Sequence, residues 1–466
     1  MVFSSIPFLY YFLPAVLILY FAVPRGLRNF VLFAASLLFY AWGEPRCIFL
    51  MLLQILAGFL SGLFLERTAG TRKARPVFAV SVLIPLACLG YFKYADFFVE
   101  NFCAVTGIDV PLLRISLPVG ISFYTFQIIS YLADVYGGTV RAQRNPLVLG
   151  TYIAMFPQLI AGPIVRYSDV EKELRSRKSS LEDVASGAQR LVLGLAKKIL
   201  LADSLGALCL AFWESQDLSV LFYWLYAVSV ALQIYLDFSG YSDMAIGLGR
   251  IFGFHFPENF RYPYLSGSIT EFWRRWHISL GTWFRDYVYI PLGGNRVSLP
   301  RWLLNVLAVW MLTGLWHGAA WNFVVWGLFF AFWLIAEKLW LKKYLDRTVV
   351  LRHGYVLLVV IISFVIFDAA DLREAGLHLA GMFGLQRVPA VSAQAWYLLK
   401  NYSITILLSG IAATPVPKML MEKIRGTAVG AKVLNAAEPL ALTVLLLVVT
   451  AYLVDGSFRP FLYFRF

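Results

Sequence analysis

Apolar residues gather in long runs separated by short clusters of arginine and lysine, and this alternation organises most of the chain. Runs near 8–24, 30–43, 48–65, 77–92 and 116–136 come first, and runs near 199–213 and 219–237 follow a basic stretch. Five more lie near 303–320, 321–341, 355–371, 396–414 and 439–456. Spanning a bilayer as a helix takes about 20 mostly apolar residues, so the pattern predicts an all-α polytopic membrane protein with about ten to twelve membrane helices. The stretch 93–115 between the fourth and fifth runs reads as a mixed loop.

Basic residues set the orientation, because cytosolic loops carry the excess of lysine and arginine. Their positions place 66–76, 166–198, 260–300, 338–352 and 418–432 inside and both termini outside. The start, Met-Val-Phe-Ser-Ser-Ile-Pro, has no basic region ahead of its apolar run, so 8–23 is expected to be a retained span and not a cleaved signal.

Three stretches break the simple pattern. Residues 147–165 are apolar but contain Pro157 and Gly162-Pro163, with basic flanks on both sides. They read either as a re-entrant segment or as two short kinked helices, since freed backbone is tolerated only under a protein or water cover. Asp237 and Asp243 sit among serine and glycine at membrane depth, marking a path or a buried partner such as Arg250 or Arg274. Over 271–287 a helical period gathers Glu271, Arg274, Arg275, Thr282, Arg285 and Asp286 into an arc of roughly 120° and leaves Trp273, Trp276, Leu280, Trp283 and Phe284 outside it. That describes a helix on a membrane surface, with His277 at the boundary of its faces. Ser180 to Asp183 carries a capping-box pattern that opens an amphipathic segment.

Composition narrows the class. The chain is 60% hydrophobic and 14% charged, against about 25% charge in an ordinary soluble protein. Its net charge of +13 is spread over loops between apolar runs, which speaks against nucleic acid as a partner and leaves membrane lipids. The four cysteines, Cys47, Cys88, Cys103 and Cys209, lack metal-ligand spacing, so no metal is expected. Free thiols are expected, with a Cys47–Cys103 disulfide left open. The chain reads as one integral-membrane domain, 1–466, with no phosphate loop, no nucleophile elbow and no repeat at a fixed period. Pro291-Leu-Gly-Gly-Asn-Arg296 reads as a turn whose free N–H groups and Arg296 are an alternative phosphate hold.

Candidate chemistry concentrates in 260–322. His317 lies in an apolar run, 306–321, in which it is the sole ionisable side chain, and such a group within a membrane is a functional candidate. His255, His353 and His378 fall in loops or at span ends and read as solvated. Leu117 to Gln127, Pro157 to Arg166, Asp237 to Asp243, Trp273 to Gly294 and Thr313 to Asn322 together resemble the successive blocks of the membrane-bound O-acyltransferases. The likeness is nearest to the bacterial branch of the alginate O-acetylation membrane subunit and the teichoic acid D-alanyl transferase. Pro460 to Phe466 resembles the aromatic tail of the alginate type.

The resemblance implies a helical ring around a thinned membrane centre and a central tunnel. It implies acyl transfer from a thioester donor, acetyl-CoA or an acyl carrier protein, to a hydroxyl of an extracytoplasmic polysaccharide or a partner protein. No permanently bound cofactor is expected. By motif position His317 and His277 are the catalytic candidates, with Trp273, Arg274, Arg275, Trp276, Arg285, Asn295, Arg296, Trp316 and Asn322 as substrate-binding candidates. Burial of His317 among Leu315, Trp316 and Trp321 would keep it neutral and ready as a base, with His277 nearer the cytosol. A transporter with Asp237, Asp243 and His317 along a path is the reading of a different class, and the absence of inverted halves weighs against it.

Overall fold

A computed structural model describes residues 2–345 and 348–455, and no strand occurs among them. Among these residues six helices are long and apolar enough to cross a membrane: Ile48–Thr68, Ala74–Thr106, Val220–Ile251, Trp321–Leu345, Val349–Asp368 and Ala428–Val454. A seventh is the pair Ala393–Ala412 and Val416–Arg425, bent by 63°. Other predicted runs form shorter helices, including Arg28–Gly43 and Ile121–Tyr136 at 16 residues each. A helix of that length rises about 24 Å, short of a hydrocarbon core of about 30 Å, and spans only where the bilayer thins. The tail at 460–466 and the C-terminus lie outside the described residues.

The chain divides into two compact units, Met1–Leu191 with Met244–Pro257, and Val192–Asp243 with Glu258–Phe466. In the first, the segment 147–165 becomes two short buried helices, Pro146–Ala154 and Phe156–Leu159, broken at Met155. The freed Phe156 N–H donates to Ser36 Oγ at 3.0 Å, so protein supplies the cover that a broken helix needs in lipid. The stretch 93–115 is not simply a loop, because the helix from Ala74 continues to Thr106 and stops at Gly107 with φ 73°. Cys47 and Cys103 are not joined: Cys47 Sγ donates to Glu44 Oε2 at 3.5 Å, while Cys103 Sγ accepts from Val110 N at 3.4 Å. The capping box forms as predicted, with Asp183 N–H on Ser180 Oγ at 3.0 Å and Ser180 N–H on Asp183 Oδ2 at 3.1 Å.

The helix after 219 does not end near 237 but runs on as Val220–Ile251, carrying Asp237 and Asp243, both in the second unit, on its own turns. Their partners are lysines, not Arg250 or Arg274. Lys198 Nζ lies 2.6 Å from Asp237 and 2.8 Å from Asp203, and Lys197 Nζ lies 2.6 Å from Asp243. Both lysines belong to a π-helical stretch, Lys197–Ala202. Gly240 permits the approach, since a Cβ there would stand 2.8 Å from the Gly194 carbonyl and 3.3 Å from Lys197 Cβ. The solvated reading fails for His378, which is buried in Leu372–Met382 with its ring 4.8 Å from Trp213 and 5.2 Å from Tyr226. His353 is half-buried within Val349–Asp368, while His255 is exposed and paired with Glu173 at 2.8 Å.

Candidate active site

The 271–287 stretch is not one surface helix. It forms Ile269–Arg275 and Ile278–Phe284, separated by Trp276 in extended conformation and His277 in the left-handed region, at φ 43° and ψ 53°. Apolar residues at helical spacing satisfy the period on both sides of the break, which is why periodicity alone merges the two pieces. The first piece is anchored at its N-terminus: Ser268 Oγ accepts from Glu271 N at 3.0 Å. The buried Glu337 carboxylate accepts from the N–H groups of Ile269 and Thr270, the second at 2.9 Å. Negative charge there complements the helix dipole. Two backbone bonds, Arg261 N–H to Arg275 O at 2.9 Å and Ile278 N–H to Asn259 O at 3.0 Å, strap the break to the preceding chain.

The turn swings His277 inward, where 1% of it remains exposed. It therefore does not sit between a wet and a dry face. Asn259 Oδ1 lies 3.2 Å from its Nδ1, Phe238 packs edge-on at 4.7 Å, and the Trp316 ring stands 5.9 Å away. Burial pushes the pKa of His277 well below the ordinary imidazole value, so the ring is neutral.

His317 closes the helix Leu299–His317 and is also buried. A short hairpin holds it, and glycines make that hairpin possible. A Cβ on Gly314 would stand 2.2 Å from the Phe323 carbonyl oxygen, and one on Gly327 would stand 2.2 Å from that of Trp310. The two helices thus touch backbone to backbone, as small residues allow in membranes. Three rings surround His317 nearly at right angles: Trp316 and Trp326 at 5.0 Å and Phe367 at 5.2 Å. Trp316 is predicted there, whereas Trp321 points outward at 53% exposure. Trp326 and Phe367 take that place.

Trp316 lies between the two histidines, so they belong to one buried cluster. Trp273 touches Trp310 at 4.6 Å and Trp326 at 5.7 Å, which sets 273–277 alongside 310–316. The expected separation of His277 toward the Arg301 end of that helix is therefore not found. Trp276 is buried, 5.1 Å from both Phe260 and Phe364. Asn322 donates from Nδ2 to the Ala369 carbonyl at 2.8 Å, and its Oδ1 has no partner among the described residues.

The charged candidates divide. Arg275 pairs with Glu271 at 2.6 Å and Arg285 with Asp286 at 2.6 Å, while Arg274 and Arg296 are exposed. Asn295 accepts from Tyr289 Oη and lies 3.5 Å from Lys338 Nζ. Its loop is a turn, with Gly293 at φ 105° and Gly294 at φ 54°, as the glycines predict. Asn259 and Ser279 are the functional candidates missed, being polar residues amid aromatics just outside or within the motif.

Two buried imidazoles, both against the Trp316 indole, suit proton transfer at a substrate oxygen or sulfur. A model of the MBOAT, membrane-bound O-acyltransferase family, matches residues 141–369, which include both histidines. A probable alginate O-acetylase of Azotobacter vinelandii is 39% identical over 100% of both chains. A peptidoglycan O-acetyltransferase of Helicobacter pylori is 31% identical over 90% of this chain and 87% of its own. A teichoic acid D-alanyltransferase of Bacillus subtilis is 30% identical over 48% and 60% respectively.

Proposed function

This chain belongs to the membrane-bound O-acyltransferase family, and on that premise we propose that it moves an acetyl group from a cytosolic thioester to a hydroxyl of an extracytoplasmic, alginate-like polysaccharide, directly or through a partner protein. The acyl-transfer chemistry rests on the buried His277–Trp316–His317 cluster. The choice of acceptor rests on likeness along the full chain to the probable alginate O-acetylase. Acetyl transfer to peptidoglycan comes second, supported at 31% identity. D-alanyl transfer to teichoic acid is supported over 48% of the chain.

In this reading His317 is the general base. The acceptor oxygen attacks the thioester carbonyl, the C–O bond forms as the C–S bond breaks, and the hydroxyl proton passes to His317 and then to the departing thiolate. Counted from Arg301 at about 1.5 Å per residue, His317 stands some 24 Å along its helix, toward the outer face if Arg301 is cytosolic. A cytosolic donor and an external acceptor then meet at the cluster without the donor crossing. Exposed Arg274 and Arg296 suit the phosphates of coenzyme A or an acidic carrier protein.

The test is reconstitution. Protein in vesicles, given acetyl-labelled coenzyme A or acetylated carrier protein on the side of Lys343 and alginate on the other, should produce ester-linked label on the polymer. No labelled ester with either donor, from protein that is folded and correctly oriented, would sink the proposal.

A further inference from the structure

The hydrogen bonds around His277 fix which of its nitrogens carries the proton. Asn259 is fully buried, and its Oδ1 lies 3.2 Å from the backbone N of Ser279, 2.9 Å from Ser279 Oγ and 3.2 Å from His277 Nδ1. A backbone N–H can only donate, so the atom facing Ser279 must be the amide oxygen, and a flipped amide would set two N–H donors against each other. The other end of the amide agrees, with Nδ2 donating to Ser242 Oγ at 3.1 Å. An amide oxygen only accepts, so His277 Nδ1 carries the hydrogen. A neutral imidazole has one N–H, which leaves the lone pair at Nε2.

Nε2 is buried and has no hydrogen-bond partner among the described residues. Phe238 and Trp316 flank the ring at 4.7 Å and 5.9 Å, restricting its rotation, and the Asn259 backbone carbonyl accepts from Ile278 N–H at 3.0 Å, which fixes the main chain beside it. Buried polar atoms are nearly always satisfied, so an atom presented this way points to an O–H or N–H that arrives with substrate.

We propose that Asn259 is a positioning residue that holds His277 in its Nδ1–H form, so that Nε2 receives a hydrogen bond from bound substrate. The role toward substrate rests on the acyl-transfer reading above. It excludes His277 as the donor that polarises the thioester carbonyl, because neutral His277 has no hydrogen at Nε2. It also excludes a proton relay through Asn259, since an amide does not exchange its acceptor role for proton carriage as a carboxyl group does.

Ring-nitrogen NMR of protein labelled with ¹⁵N-histidine in nanodiscs tests the tautomer without any turnover. The His277 signals are assigned by their loss in His277→Gln. The parent should show a protonated-type Nδ1 and a bare-type Nε2, and a bare Nδ1 would overturn the proposal. Asn259→Ala should lose that pattern, and Asn259→Asp, which keeps the acceptor oxygen, should retain a protonated Nδ1. In acetyl transfer, Asn259→Ala should lower kcat by about 10²- to 10⁴-fold, the range for losing a correctly held catalytic imidazole, and Asn259→Asp should recover most of it. Equal losses in both variants with the parent tautomer retained would reduce Asn259 to a packing role. A parent with the expected tautomer but no transfer would fail the functional reading and leave the assignment of Nδ1 standing.

Discussion

The two buried histidines are held in opposite ways. His277 sits at a strained turn and is steered by hydrogen bonds, through one amide oxygen that also serves Ser279. His317 ends a regular helix and is steered by shape, through three aromatic rings and a glycine-lined hairpin. The first arrangement specifies a protonation pattern. The second specifies a position, and the difference says which kind of substitution each histidine should tolerate.

The largest effect is expected at His317 itself. His317→Ala should cost about 10²- to 10⁴-fold in acetyl transfer, the usual loss for a general base, while the protein still inserts and binds donor. Activity within a few-fold of the parent would remove the base from this position. Shape control predicts the next effect: Gly314→Val cannot be accommodated beside the Phe323 carbonyl, and overpacking of this kind costs about 1–3 kcal/mol. A lowered thermal midpoint is expected, and an unchanged one would mean that the hairpin opens freely.

Apart from loss of the Asn259 contact, the effects expected near His277 are smaller and electrostatic. Arg274 is exposed and has no ion-pair partner among the described residues, whereas Arg275 is paired with Glu271. Arg274→Ala should therefore raise the donor KM by about 3- to 10-fold, as for one exposed charge-assisted contact, and Arg275→Ala by less. Equal changes in a donor titration would deny the distinction. Last comes a pH effect. The lowered pKa of His277 means that the unfolded chain binds a proton there before the folded one does, so stability falls as pH drops below about 6.5. His378, lowered by burial as well, acts in the same sense. His277→Gln should flatten the fall of unfolding free energy over that acid window, by at most about 1.4 kcal/mol per pH unit, as measured by denaturant unfolding at each pH.

Legibility in the sequence followed the same division. Part of the surroundings of His317 is local, so Trp316 was legible beside it, whereas Phe367 arrives from a later helix and was not. The surroundings of His277 are assembled from 238, 242, 259 and 316, and no local period reports them. The break at His277 escaped because a left-handed residue leaves the hydrophobic pattern intact on either side. Asp237 and Asp243 were legible as buried charges in need of partners. Their lysines, some 40 residues earlier, were assigned to a cytosolic basic stretch because a charge count cannot see a π-helical turn carrying Lys197 and Lys198 into the core.

Those ion pairs bear on how the protein is made. Lys197, Lys198 and Asp203 belong to the helical stretch 181–213, and Asp237 and Asp243 to Val220–Ile251, with a turn of about six residues between them. A lone charge at the centre of an inserting helix costs about 2.5–3.5 kcal/mol at the translocon. The buried charges weaken the insertion of each helix alone, yet together they form ion pairs. The two are therefore expected to leave the translocon as a hairpin, so that Lys198→Leu, though more apolar, should lower the fraction of nascent chains in which Val220–Ile251 is inserted.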